Sequence, residues 1–127
     1  MSKTHTIITQ YVTDAGQILS AQSVETDMIQ VEFDSTVAAT TTNYLINLAF
    51  PYANMSSYLL YSDQALTVYT NATNGAGGNS FTLAAGVPYT WNAASGLTNA
   101  FTANVTKFYA NNAGSTIANF KIYVLFH

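Results

Sequence analysis

The chain has 127 residues but only nine charged side chains, three lysines and six aspartates or glutamates, and its formal net charge is −3. An average soluble domain of this length would carry roughly 32 charged residues. Three isolated lysines do not make the clustered positive surface that nucleic acids or anionic membranes bind. We therefore expect neither as a partner. The chain also lacks cysteine, which excludes disulfides and thiol catalysis.

The remaining residues indicate an all-β chain, because β-branched and aromatic residues recur with a period of two between clusters of glycine, asparagine, aspartate and serine. The predicted strands are 7–12, 17–20, 28–33, 44–50, 58–61, 66–70, 80–83, 89–91, 105–109 and 120–126. About ten short strands at this spacing are typical of a single antiparallel β-sandwich with a jelly-roll-like arrangement. We expect one domain over residues 1–127, with residues 1–25 as an arm, an edge strand or an ordinary part of the sandwich.

Two strands and two loops carry more specific predictions. Alternation places Tyr44, Ile46, Leu48 and Phe50 on one face of the strand 44–50, which Pro51 ends. The strand 120–126 is apolar on both faces, so we expect it in the middle of a sheet. Residues 14–16 should form a tight turn, and residues 111–115 a hairpin loop.

Charge is unevenly distributed along the chain. Five of the six acids precede residue 35, namely Asp14, Glu25, Asp27, Glu32 and Asp34, whereas residues 35–106 contain only Asp63. Strands that alternate must turn half of their residues outward, so burial in the core cannot account for the whole uncharged span. We therefore expect residues 35–106 to supply most of a protein–protein contact surface.

The acids form two pairs that could carry chemistry. Glu25 with Asp27 and Glu32 with Asp34 are each two residues apart, which places both carboxylates on one face of a strand. General acid–base catalysis or calcium binding could use such a pair. However, no basic partner and no glycine-centred calcium loop accompanies either one. A solvated outer face, opposite Val31 and Phe33, is the favoured interpretation.

The histidines do not complete a metal site in the sequence. His5 and His127 lie near opposite ends of the chain, and no further ligands stand beside either one. We expect both to be exposed. We predict no catalytic residue, no metal and no cofactor.

A glycine-rich segment at 71–79 is a candidate interaction loop. No Lys-Ser or Lys-Thr follows it, and it leads into a strand rather than a helix, so it does not match a phosphate-binding loop. Flexible loops of this kind often lie at contact points. The candidate residues are Asn71, Asn74, Gly75, Gly77, Gly78 and Asn79.

Trp91 and Tyr89 allow two interpretations. Their rings could form a sugar-stacking platform, since an aromatic face beside amide groups suits carbohydrate rings. Alternatively, Trp91 ends a strand with its ring in the core, beside Pro88 at the strand entry. The core interpretation is favoured because tryptophan is highly buried on average.

The order of strands over residues 58–127, together with the stretch Phe-Thr-Leu-x-x-Gly-x-Pro-x-x-Trp at 81–91, resembles the small β-sandwich head decoration (cement) proteins of tailed bacteriophages. The resemblance implies a protein that clamps neighbouring major capsid subunits, often as a trimer, without catalytic residues or cofactors. Residues 1–57 match no family in this way.

These observations together predict a non-enzymatic virion protein. It would be made in the host cytoplasm, bind the major capsid protein on the capsid exterior and self-associate as a homotrimer. Low charge suits this role, because charged groups are costly to desolvate in an interface. Two alternatives stay open. One is a carbohydrate-binding or receptor-binding module of a phage tail or fibre, and the other is a small lyase or hydrolase using the paired acids.

Overall fold

The computed structural model describes residues 2–27 and 29–127, with the side chains of all of these except Ser23, Glu25 and Asp27. Met28, the predicted start of the third strand, lies outside the described residues. The strands are β1 (Lys3–Val12), β2 (Ile18–Asp27), β3 (Ile29–Val37), β4 (Thr41–Ile46), β5 (Met55–Ser62), β6 (Leu66–Thr70), β7 (Ser80–Leu83), β8 (Tyr89–Asn92), β9 (Phe108–Asn112) and β10 (Ala118–Phe126). One turn of 3-10 helix, Ala93–Ser95, follows β8.

The strands β3 to β10 form two four-stranded antiparallel sheets. Sheet I has the order β3-β10-β5-β8 and sheet II the order β4-β9-β6-β7. Four antiparallel strand pairs are nested one inside the next, as in a single long hairpin: β3·β10, β4·β9, β5·β8 and β6·β7. Successive pairs belong alternately to sheet I and to sheet II. This is the arrangement of a jelly roll. The prediction of an all-β antiparallel sandwich is confirmed.

The core lies between the two sheets and receives alternate residues from each strand. In β10 the residues Phe120, Ile122 and Val124 are fully buried. This strand lies between β3 and β5, so its predicted central position is confirmed. Leu125 points to the other face of sheet I and is also fully buried, because a separate hairpin packs there.

That hairpin, which we call the arm, consists of β1 and β2 paired from Lys3 with Asp27 to Val12 with Ile18. It forms a two-stranded sheet of its own. The predicted turn at 14–16 joins its strands: the Gly16 N–H donates to the Thr13 carbonyl at 2.9 Å, and Gly16 has a φ of +78°. The arm includes most of residues 1–25, for which the sequence left three arrangements open.

The predicted strand 44–50 is wrong in its extent. The strand ends at Ile46, and its register with β9 shifts beside Asn43, which has a φ of +57°. Tyr44 pairs with the buried Ala110 and so lies on the same side of the strand as Ile46, but it is 40% exposed rather than buried. Phe50 lies outside any strand and forms an isolated bridge with Val105. The left-handed Asn43 and the register shift beside it precede Tyr44, and the alternation of residue types reveals neither of them.

The prediction of a hairpin loop at 111–115 is also wrong. Strand β9 belongs to sheet II and β10 to sheet I, so the loop crosses from one sheet to the other. Asparagine and glycine indicate that a chain turns at this point. They do not specify which sheet the next strand joins.

Candidate interaction surfaces

The strands of sheet II supply no charged side chain, although Lys107, which directly precedes β9, borders their outer face: its ammonium lies 5.9 Å from the centroid of the Tyr109 ring. None of the residues in β4, β6, β7 and β9, all of which the structure describes, is charged. The outward residues are Leu45, Thr67, Tyr69, Ser80, Thr82, Tyr109 and Asn111, which we call the uncharged face. Cross-strand register places Leu45, Tyr109 and Tyr69 side by side in one row. The uncharged face is therefore a continuous strip of hydroxyl, amide, aromatic and aliphatic groups.

The outer face of sheet I is different, because it carries acids and a lysine. Glu32 and Asp34 are exposed on β3, while Val31 and Phe33 pack against the core. For this pair the predicted solvated face is confirmed. The Asp34 carboxylate lies 3.6 Å from the Lys121 ammonium. The side chains of the other predicted pair, Glu25 and Asp27, are outside the described part of the structure.

The histidines take different positions. His127 is exposed as predicted, and its Nδ1 lies 3.0 Å from the Ser56 hydroxyl. His5 is half-buried, so its predicted exposure is wrong: it points from the arm toward sheet I, and its Nε2 lies 3.3 Å from Gln30 Oε1. Among the described residues, no group of three or more histidine, aspartate or glutamate side chains could hold a metal ion.

Asp63, the single charge within residues 35–106, has a structural role. Its carboxylate accepts hydrogen bonds from the backbone N–H of Asn119, at 2.7 Å, and from the Asn119 side-chain amide, at 2.6 Å. These bonds favour the ionised form and hold the pKa of Asp63 below the ordinary value of 3.8. The contact joins the end of β5 to the start of β10.

Because the pKa of Asp63 is lower in the folded protein, its contribution to stability is present above pH 3.8. It is lost as the pH falls through the folded-state value. We expect Asp63→Asn to flatten the fall of the thermal unfolding midpoint in acid. Asp34→Asn, at an exposed surface pair, should change that slope little. Equal acid slopes for wild type and Asp63→Asn would contradict this role.

In the 71–79 loop, the side chain of Asn71 holds the loop to a neighbouring segment. Its amide nitrogen donates to the carbonyls of Gly77 and Asn104 at 2.8 and 2.9 Å. Its oxygen accepts from the Thr106 N–H at 2.8 Å. Asn71 has a φ of +70°, a conformation that asparagine tolerates better than most residues. Its amide is therefore used within the protein.

Asn79 and Gly78 anchor the other end of this loop. The Asn79 amide donates to the Thr102 hydroxyl at 3.0 Å and accepts from the Thr102 N–H at 3.1 Å. A Cβ on Gly78 would lie 2.5 Å from the Thr70 carbonyl oxygen, so only glycine fits there. Both positions serve the loop's own conformation.

The tip of the loop is the part available to a partner. Asn74 is exposed, and its side-chain oxygen accepts from the Ala76 N–H at 3.0 Å. Gly75 and Gly77 take φ values of +77° and +71°, which favour glycine. Contact between this tip and another molecule stays a prediction.

Trp91 and Tyr89 lie at the edge of the core, on the last strand of sheet I. The buried ring of Tyr58 stacks on both, with centroids 5.6 Å from Trp91 and 6.4 Å from Tyr89. The Trp91 indole N–H donates to the Leu97 carbonyl at 2.8 Å. Burial raises the pKa of Tyr58 to about 12. Trp91 is thus half-buried against the core, as favoured from the sequence, while a shallow open groove remains along Tyr89 and Trp91.

Comparison of the chain with models of protein families, with curated proteins and with solved structures gave no match in any of the three. The described residues include no helix that is long and apolar enough to cross a membrane.

Proposed function

We propose that this chain is a non-enzymatic virion structural protein, a decoration protein that binds the major capsid protein on the capsid exterior and stabilises the shell. The observation that carries the proposal is the uncharged face of sheet II. Jelly rolls occur in viral capsid proteins and also in lectins, so the fold alone does not decide between these functions.

The chemistry of the uncharged face suits burial against another protein. Burying a charge that lacks a partner costs several kcal/mol. Hydroxyl and amide groups, by contrast, can exchange hydrogen bonds with water for hydrogen bonds with a partner. Tyr69 and Tyr109 lie next to each other at its centre, and tyrosine is enriched in interface cores. Glu32, Asp34 and Lys121 lie on the other side of the sandwich and remain in solvent, whereas the Lys107 ammonium lies beside Tyr109 at the border of the uncharged face.

A charge placed in the uncharged face should prevent this binding. The test is co-sedimentation of the purified protein with cognate capsids assembled without it. We expect saturable binding of the wild type and a loss of at least about tenfold, or about 1.4 kcal/mol, for Tyr69→Lys. The matched control is Tyr61→Lys, since Tyr61 is a half-buried tyrosine on the outer face of sheet I.

Two results would contradict the proposal. One is a wild-type protein that does not sediment with the capsids. The other is equal binding of Tyr69→Lys and Tyr61→Lys, which would mean that the uncharged face does not contact the shell.

The groove along Tyr89 and Trp91 favours a second candidate function, that of a carbohydrate-binding or receptor-binding module of a phage tail or fibre. A glycan array would separate the two functions, because a decoration protein should bind no sugar. Tyr89→Ala is the cleaner variant, since Tyr89 is more exposed than Trp91, whose ring stacks on Tyr58 and whose N–H is bonded to Leu97. Glycan binding that Tyr89→Ala abolishes would favour the second candidate.

A further inference from the structure

The end of the arm is apolar on both of its faces. Tyr11 pairs with Leu19 on one face, and Val12 pairs with Ile18 on the other. Tyr11 and Leu19 are 69% and 71% exposed, and Val12 and Ile18 are 56% and 63% exposed. A two-stranded hairpin is marginally stable alone, and apolar groups on both faces of a thin ribbon are covered only if the ribbon enters a cleft. We call these four exposed apolar residues the arm tip.

The rest of the arm packs on its own sandwich. Near its base, residues 4–7 line a groove with Glu32 of β3, Leu59 of β5 and Tyr123 of β10. Farther along, residues 6–10 lie beside Leu59 and beside Thr90 of β8. The arm therefore crosses sheet I toward its edge strand β8, and the sandwich leaves the arm tip uncovered.

An apolar groove lies at the opposite end of the arm. Its volume is about 290 Å³, and its apolar lining includes Ile29, Val31, Ala49, Phe50, Pro51 and Phe126. Ile29 is 60% exposed and follows the arm's last residue, Asp27, by two positions. Leu19 is eight residues from Asp27 along β2, which is about 27 Å of extended strand. The arm tip therefore cannot reach the groove of its own chain.

We propose that the arm tip of one copy occupies this groove on a second copy of the chain. The two surfaces match in chemistry: Asp14 in the turn is the charged residue at the end of the arm, and among the side chains that the structure describes, His127 is the ionisable one lining the groove. An imidazole can pair with a carboxylate. A bilayer is a poorer occupant, because the carboxylate of Asp14 would enter the hydrocarbon first.

Contact between two different surfaces of the same chain is heterologous, and it closes into a ring when the rotation between copies permits. The proposal rests on the proposed decoration function and deepens the homotrimer that the sequence analysis predicts for it, because it names the contact that would join the copies. It needs no shell, so its test is independent of capsid binding.

Covalent trapping tests the contact directly, because the chain has no native cysteine. Purified Leu19→Cys and Ile29→Cys proteins are mixed and treated with a short bis-maleimide. We expect a covalent dimer from the mixture, and from the double variant a ladder that ends at the size of the ring. The matched pair Val24→Cys and Ile29→Cys should yield little product, since Val24 is exposed on the arm away from its tip.

Sedimentation equilibrium supplies a second readout. The wild type should associate at micromolar concentration, and Leu19→Lys and Ile29→Lys should each raise the dissociation constant at least tenfold. Both sites are exposed, so these variants should fold. Val24→Lys should associate like the wild type.

Three outcomes would overturn the proposal. They are a monomeric wild type, an effect of Leu19→Lys without one of Ile29→Lys, and flotation of a monomer with phosphatidylcholine vesicles through the arm tip. If association fails while Tyr69→Lys still weakens capsid binding, the proposed function survives without this contact.

Discussion

Replacing Phe101 by alanine should lower the free energy of unfolding by about 3–5 kcal/mol, the range for a buried phenylalanine that leaves a cavity. Phe101 is fully buried although it lies outside any strand, between β8 and β9. Its ring centroid is 4.8 Å from that of Phe81, 5.0 Å from Tyr58 and 5.7 Å from Phe50. The substitution would leave all three rings without a common neighbour.

Urea denaturation measures this loss, and the single tryptophan of the chain, Trp91, supplies the fluorescence signal because it stacks on Tyr58. Leu97→Ala is the control in the same segment, since Leu97 is exposed and exposed sites usually change stability by no more than about 0.5 kcal/mol. Phe101→Leu should lie between the two. A loss below about 1.5 kcal/mol for Phe101→Ala would show that the cavity collapses or that the segment is not anchored by this ring.

Most strands were predictable from local alternation, although the predicted strand 105–109 overlaps β9 (Phe108–Asn112) only at its end and 44–50 was wrong in its extent. In β6, for example, Leu66 and Val68 are buried while Thr67 and Tyr69 between them point outward, as a period of two requires. Alternation does not tell which strands pair. Strand β3 pairs with β10, so Ile29 lies opposite Phe126, and nothing near either residue in the sequence indicates that partner.

The candidate surfaces were predictable only in part. The shortage of charge in residues 35–106 was evident, and β4, β6 and β7 of sheet II all come from that span. The concentration of uncharged residues on one outer face depends on the wrapping of the sheets, which brings in Tyr109 of β9 from outside the span. The contact surface expected for residues 35–106 stays a prediction.

The arm tip was missed for a related reason. Alternation predicts strands at 7–12 and 17–20, and the apolar residues of a predicted strand are normally assigned to a core. Here Tyr11 and Leu19 extend past the sandwich and remain exposed. The available signal was an apolar residue at consecutive positions on each side of the turn, Tyr11 with Val12 and Ile18 with Leu19. Such a pattern places apolar groups on both faces of a hairpin.

The misassigned hairpin loop at 111–115 contains a residue with a large expected effect on stability. Asn112 ends β9 and is completely buried. Its amide nitrogen donates to the carbonyl of Val37, at the end of β3, and to that of Thr116, at 3.1 and 2.9 Å. Its oxygen accepts from the Gly114 N–H at 3.1 Å. One side chain thus ties sheet I to sheet II where the chain crosses between them.

Asn112→Ala should therefore lower the free energy of unfolding by about 2–4 kcal/mol, because three hydrogen bonds of about 1 kcal/mol each are lost and the buried Val37 carbonyl loses a donor. Asn112→Asp should be at least as harmful, since a carboxylate cannot donate and would be buried unpaired. Asn47→Ala, at an exposed asparagine, is the control and should stay within about 0.5 kcal/mol of the wild type. The same urea titration measures all three variants. If Asn112→Ala were as stable as Asn47→Ala, the Asn112 side chain would not stabilise the crossing between the sheets. Backbone contacts alone would then hold it.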